Sequence, residues 1–168
     1  LILFIFHKCM VLLNEPKILG PISIPQAYQI CEDITKSAST SFLRSFKSLP
    51  LEKRCSVHAL YAFCRKVDDI VDGDWLPNLS NLNAKDLSSL NERAEYRSIA
   101  LAIERMSEPV NDDKSHFQRV RALLWFRDNL DSIEKNMPVN HPIFIALEDT
   151  MKKFPIKISK LKLNKYYI

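Results

Sequence analysis

Glycine is almost absent from the sequence: two of the 168 residues, Gly20 and Gly73, are glycines. Tight turns depend on glycine, so this scarcity argues against a turn-rich β protein. Hydrophobic residues make up 46% of the chain and charged residues 26%, which is the balance of a globular protein. A chain of this length suits one domain, which buries roughly two-thirds of its unfolded surface. We therefore expect a single, all-α domain.

Patterns for zinc binding and for disulfide pairing are also lacking. The four cysteines show no C-x-x-C spacing, and the four histidines are scattered. We expect free thiols, buried or half-buried, in a reducing compartment, and no zinc site. The cysteines are Cys9, Cys31, Cys55 and Cys64.

No apolar run reaches the roughly 18 to 20 residues that a membrane-spanning helix needs. The N-terminal stretch LILFIFHKCMVLL is broken by His7 and Lys8 and lacks a small-residue cleavage site, which argues against a signal peptide. Its apolar residues leave peripheral membrane contact open. The net charge is only +4, without a basic cluster interleaved with aromatics, so no nucleic acid partner is expected. We expect a cytoplasmic location, with plastid and mitochondrion as alternatives.

The most informative stretch covers residues 51–75, LEKRCSVHALYAFCRKVDDIVDGDW. It is predicted to be a helix that begins after Pro50 and ends at Gly73. Most of its circumference is apolar, which is typical of a helix surrounded by protein, so its charged residues are expected to face an internal polar space. At 3.6 residues per turn, one row along the helix contains Tyr61, Arg65, Asp68 and Asp72.

Four carboxylates crowd the end of this helix, at Asp68, Asp69, Asp72 and Asp74. The helix dipole already places about half a negative charge there, and acids one turn apart repel each other. A cation is therefore expected. Two carboxylates one turn apart suit Mg²⁺, which completes its shell with phosphate oxygens and waters. From the pattern alone, a solvated acidic helix end remains the alternative.

The string AFCRKVDDIVDG, with STSFLRSFKSLPLEKR before it, resembles the first aspartate-rich region of the squalene and phytoene synthase family, the head-to-head prenyltransferases. The resemblance covers about residues 25–155 and implies the all-α isoprenoid synthase fold. It implies that Asp68 and Asp72 bind Mg²⁺, with Mn²⁺ as an alternative. Arg65 would then contact a prenyl diphosphate, in a cavity that Tyr61 lines.

The segment SASTSF is predicted to interrupt the first helix, because its hydroxyls compete for backbone hydrogen bonds. In the family a similar stretch supplies hydroxyls to the diphosphate. The resemblance therefore adds Ser41, Phe42 and Ser39 as diphosphate-binding candidates. Thr40 departs from the family, since many relatives have a basic residue there.

Four other helices are predicted around the acidic one. The first begins with a capping box of Ser23 and Gln26, and another covers about residues 84–106. A third follows a second capping box, of Ser115 and Gln118, and HPIFIALEDTMKKF forms the last.

The resemblance stops at about Leu161, and the chain has no copy of the family's second aspartate-rich motif. Asp128 and Asp131 are interpreted as part of a solvated face. We expect an N-terminal tail over residues 1–22, partly upstream of the natural start. A partial isoprenoid synthase domain, incomplete at its C-terminus, is expected over residues 23–160, and an unmatched basic and aromatic tail over residues 161–168.

The function implied by the resemblance is that of a phytoene synthase-like transferase, which joins two geranylgeranyl diphosphates head to head in carotenoid biosynthesis. Squalene or dehydrosqualene synthase, acting on farnesyl diphosphate, is the first alternative. An inactive truncated fragment is another. A non-catalytic protein, like the complex I assembly factor of the same superfamily, is the last, and retention of Asp68, Asp72 and Arg65 argues against it. The oligomeric state is left open.

Overall fold

A computed structural model describes residues 20–77, 93–106 and 113–161, and every regular element within these ranges is a helix. The expected all-α architecture is confirmed. None of these helices is long and apolar enough to cross a bilayer. In chain order they are α1 (Ile24–Ala38), α2 (Thr40–Phe46), α3 (Leu51–Asp72), α4 (Ala94–Met106), α5 (Asp113–Glu134), α6 (Pro142–Lys153) and α7 (Ile158–Leu161).

The start of α1 and its interruption occur where the sequence predicts them. The Ser23 hydroxyl accepts a hydrogen bond from the Gln26 backbone N–H, and the Gln26 side chain accepts one from the Ser23 N–H at 2.9 Å. Ser39 is extended, ends α1 and caps α2 by accepting from the Phe42 N–H at 3.3 Å. Hydroxyl competition therefore breaks the helix within SASTSF.

The predicted ends of α3 are also confirmed. Pro50 precedes its first turn, and Gly73 ends it in the left-handed conformation, with φ of 77°. That conformation is readily available to glycine and costs other residues strain.

The structure corrects two of the predicted helices. α4 begins at Ala94 after a bend at Arg93, so a continuous helix over residues 84–106 is excluded, while residues 84–92 themselves lie outside the described ranges. Glu95 stabilises the observed start of α4. Its carboxylate forms an ion pair with Arg93 and accepts a hydrogen bond from the Glu95 backbone N–H. α5 begins at Asp113, and Ser115 is therefore inside the helix rather than its N-cap.

α3 is the central helix. α1, α5 and α6 pack around it, and α4 lies on α5. Phe63 projects from α3 into an aromatic cluster, with ring centroids 5.6 Å from Phe126 and 6.2 Å from Phe144. Polar contacts fix α1 in this arrangement: Tyr28 donates to Asp149 of α6 at 2.8 Å.

A buried histidine ties α3 to α1. His58 Nδ1 lies 3.0 Å from the Thr35 hydroxyl, which itself donates to the Cys31 carbonyl oxygen. Because the hydroxyl hydrogen is engaged, we infer that His58 Nδ1 carries the hydrogen and donates. Burial lowers the pKa of His58, which agrees with a neutral ring.

The three described cysteines are free thiols, as expected, but one differs from the expectation in its exposure. Cys31 is buried, which raises its pKa to about 12, and Cys55 is half-buried. Cys64 is exposed, because it lies one turn before Asp68 on the uncovered side of α3. Cys9 lies outside the described residues, as do the apolar N-terminal stretch and residues 162–168.

Stability is expected to fall on mild acidification because of His141, the residue before α6. Its ring packs against Trp125 and Phe144 at 5.4 and 5.7 Å between centroids. Burial, with a contribution from Lys66, lowers its pKa from 6.5 to about 4. Between these two pKa values His141 is protonated in the unfolded chain but not in the folded chain, so the free energy of unfolding falls as the pH falls. Between pH 7 and pH 5 the loss is about 2 kcal/mol.

Urea denaturation at neutral and acidic pH measures this loss. His141→Phe keeps an aromatic ring but cannot titrate, so its unfolding free energy should depend less on pH than that of the wild type. His58 is present in both proteins and its contribution cancels. Equal pH dependence in the two proteins would show that His141 is not the responsible group.

Candidate active site

The acidic row forms as predicted on α3, but it does not face an enclosed space within the described part of the chain. Tyr61 and Arg65 are half-buried, whereas Asp68 and Asp72 are exposed. The buried positions of α3 lie on its other faces, against α1, α5 and α6. Among the described residues, the expectation of a helix surrounded by protein is therefore not met at the end of this face that holds Asp68 and Asp72.

Asp68 lies in a crowded electrostatic environment. Partial burial raises the pKa of its carboxyl group, the Arg65 guanidinium opposes this shift, and the carboxylates of Asp72 and Asp69 add to it. Asp68 and Asp72 are thus close enough to repel each other. A cation placed between them would relieve that repulsion.

The adjacent Asp69 has a different environment, since only 6% of it is exposed. Its carboxylate forms one ion pair with Arg65 Nη2 at 2.7 Å and another with Lys66 Nζ at 3.5 Å. Lys66 in turn lies over the ring of Trp75, 4.5 Å from its centroid. Asp69 therefore holds Arg65 on the acidic row and is itself turned away from it.

The short helix α2 brings one of the predicted diphosphate-binding residues to this row. The Phe42 ring lies 5.3 Å from that of Tyr61 between centroids, and Phe46 lies 6.4 Å from Tyr61. Ser41 is exposed beside Phe42, while the hydroxyl of Ser39 serves as the cap of α2. Phe42 and Tyr61 thus form an aromatic wall next to Arg65.

A buried arginine of α5, which contacts the end of α3, was not identified from the sequence. Arg119 of α5 is 4% exposed, and its Nη1 donates to the Val71 carbonyl oxygen at 2.9 Å. The sequence does contain a signal, because Arg119 occupies the same helical row as Leu123, Phe126 and Leu130. A charge on an otherwise apolar row indicates a specific buried partner.

Asp128 and Asp131 do not form a second acidic site. Asp128 is half-buried and pairs with Arg93, so the solvated face predicted here is only partly solvated. Within the described ranges, His, Cys, Asp and Glu form no group of three or more that could hold a metal. The carboxylates of Asp68 and Asp72 nevertheless fit Mg²⁺, which typically takes one or two carboxylates and completes its shell with phosphate oxygens and waters.

Comparison with known proteins assigns the family. The profile of the squalene/phytoene synthase family matches residues 35–162, which include every candidate site residue, and the chain belongs to this family. It is 37% identical over 83 residues to the phytoene synthase of Mycobacterium tuberculosis, a match covering 47% of this chain and 28% of that protein. The phytoene synthase of Arthrospira platensis is 24% identical over 149 residues, covering 89% of this chain and 35% of that protein.

A third relative, the 4,4'-diapophytoene synthase of Staphylococcus haemolyticus, is 42% identical over 50 residues, or 30% of this chain and 18% of that protein. The chain thus spans about a third or less of the length of these curated relatives. No solved structure matches it significantly.

Proposed function

We propose that this chain carries the first aspartate-rich half of the active site of a phytoene synthase-like, Mg²⁺-dependent transferase. The whole enzyme condenses two geranylgeranyl diphosphates head to head with loss of diphosphate. The observation that supports this most directly is the row on α3, where two exposed carboxylates one turn apart lie beside an arginine that a buried acid holds in place. A solvated acidic helix end would not need that arginine or the aromatic wall beside it.

Each residue of the row has a separate task in this proposal. Asp68 and Asp72 bind Mg²⁺ and so face the diphosphate. Bound Mg²⁺ neutralises charge that develops on the leaving diphosphate. Arg65 is 41% exposed and has five N–H donors, of which Asp69 engages only part, so the others can donate to phosphate oxygens. Phe42 and Tyr61 exclude water from the reactive end of the prenyl chain.

The serines before α3 have a lesser part. Ser41 is exposed next to Phe42 and donates its hydroxyl to the diphosphate. Ser39 contributes through its position, because its hydroxyl caps α2 and thereby orients Phe42.

Calorimetric titration of the chain with geranylgeranyl S-thiolodiphosphate, an unreactive analogue, tests the proposal. Binding should be markedly tighter with Mg²⁺ than with EDTA, because the carboxylate row repels the diphosphate unless a cation lies between them. Equal affinity in both conditions would contradict the proposal and favour a non-catalytic role for the chain.

The alternative of a shorter, C15 substrate has support of its own in the similarity to a 4,4'-diapophytoene synthase. The same titration with the farnesyl analogue compares the two chain lengths. Tighter binding of the farnesyl analogue would favour a dehydrosqualene synthase-like enzyme.

Substitutions of Arg65 test whether it contacts the diphosphate or only forms a structural ion pair with Asp69. Arg65→Lys keeps the charge but loses the planar fork, so weaker Mg²⁺-dependent binding of the analogue is expected with the helix content unchanged. Arg65→Leu should cost about 1.5 to 3 kcal/mol of binding, the range for a hydrogen bond to a charged group. Equal affinity in all three proteins would show that Arg65 only pairs with Asp69.

A further inference from the structure

Arg119 reaches from α5 to the C-terminal end of α3. The last carbonyl groups of a helix have no partner within it, and a buried guanidinium is costly unless its N–H groups are hydrogen-bonded. The bond from Arg119 Nη1 to the Val71 carbonyl oxygen gives that carbonyl a donor and gives one guanidinium nitrogen an acceptor. It also places a positive charge where the helix dipole and the acidic residues are negative.

Gly73 completes this contact. A Cβ atom at Gly73 would lie 2.9 Å from Arg119 Nη2 and 3.0 Å from its Cζ, so the guanidinium packs directly against the glycine. Any other residue here would be strained by the φ of 77°, and its Cβ would push the guanidinium away. The following turn is bonded back to α3, with the Asp74 and Trp75 N–H groups donating to the Asp69 carbonyl oxygen at 2.8 and 3.1 Å.

We propose that Arg119 is a positioning residue, which holds the last turn of α3 so that Asp72 stays in helical register with Asp68. This inference rests on the proposed function of the acidic row. Asp72 is the last residue of α3, and both of its neighbours, Val71 and Gly73, touch Arg119. Helix ends fray, and Mg²⁺ demands near-ideal octahedral geometry. A frayed last turn would move one of the two carboxylates away from the other.

The sign of the effect distinguishes positioning from simple charge compensation. If Arg119 acted only as a counter-charge, its removal would make the site more negative and tighten cation binding. If it positions Asp72, its removal loosens the helix end and weakens cation binding. The two roles therefore predict opposite changes in the same measurement.

The measurement is the factor by which Mg²⁺ tightens binding of geranylgeranyl S-thiolodiphosphate. In Arg119→Met this factor should fall about tenfold or more, the scale seen when residues that support metal ligands are removed. Arg119→Lys should restore part of it, since an ammonium can still donate to the Val71 carbonyl oxygen. The matched control is Arg93→Met, whose ion pairs with Asp128 and Glu95 do not involve α3. An unchanged or larger factor in Arg119→Met, or an equal fall in the control, would overturn the inference.

Gly73→Ala changes the other partner of the same contact, and it provides a second test if Arg119→Met does not fold. Its Cβ displaces the guanidinium, so the Mg²⁺ factor should again fall, and hydrogen exchange of the Asp74 and Trp75 amides should quicken about tenfold. If the wild type binds the analogue without Mg²⁺ dependence, the proposed function fails, and amide exchange alone decides this inference. Because alanine at position 73 also strains the backbone, the deciding comparison is made on Arg119: faster exchange of these amides in Arg119→Met or Arg119→Lys than in Arg93→Met supports a helix end held by Arg119, and equal exchange overturns it.

Discussion

Asp68→Asn and Asp72→Asn are each expected to abolish the Mg²⁺ dependence of prenyl diphosphate binding. Asparagine keeps the size and shape of the side chain but removes the charge that a hard cation requires. The loss should exceed the 10- to 100-fold that is typical for residues behind a metal ligand, since these carboxylates would be ligands themselves. Calorimetric titration with and without Mg²⁺ measures it.

Thermal denaturation of the same variants provides an internal check. The raised pKa of Asp68 means that folding disfavours its ionised form relative to the unfolded chain, so asparagine is not expected to lower the melting temperature. Asp33→Asn, an exposed change on α1, is the matched control and should leave Mg²⁺ dependence intact. Retained Mg²⁺ dependence in both row variants would show that the row is only a solvated helix end.

Local signals in the sequence were sufficient for α1 and α3. The Ser23 capping box, the hydroxyl-rich break and the Pro50 to Gly73 boundaries all depend on residues within one or two turns of each other, and each is found where it was predicted. The start of α4 was not predictable in this way. It depends on Arg93, whose guanidinium pairs with Asp128 of another helix, and such a contact leaves no periodic trace in the sequence.

In the candidate site, too, features within one helix were predictable and contacts between side chains were not. Helical periodicity alone places Asp68 and Asp72 in one row and turns Asp69 away, because these residues share one helix. Periodicity does not show that Asp69 clamps Arg65, which depends on rotamers, or that Arg119 caps α3, which depends on how α5 packs. The described residues also leave Asp68 and Asp72 exposed, which was not predicted, since apolar composition indicates how much of a helix is buried but not which neighbours cover it.

The aromatic cluster behind α3 should govern stability without affecting the site. Phe144 lies at its centre, fully buried, with its ring centroid 5.0 Å from that of Phe126 and 5.5 Å from that of Trp125. Phe144→Ala is expected to cost about 3 to 5 kcal/mol through lost burial and an unfilled cavity. Set against a typical total of about 5 to 15 kcal/mol, this is the largest stability effect expected for the chain. Urea denaturation measures it.

Mg²⁺-dependent binding by the folded fraction of Phe144→Ala should nevertheless match that of the wild type. The cluster touches α3 through Phe63, which lies about 140° to 180° around the helix from Asp68 and Asp72. Phe144→Leu, which leaves a smaller cavity, should lose less stability and likewise keep the binding. Since Asp72→Asn should lose binding and keep stability, the two variants are expected to separate the two faces of α3. Loss of Mg²⁺-dependent binding in folded Phe144→Ala would instead show that the core packing of α3 sets the geometry of its acidic row.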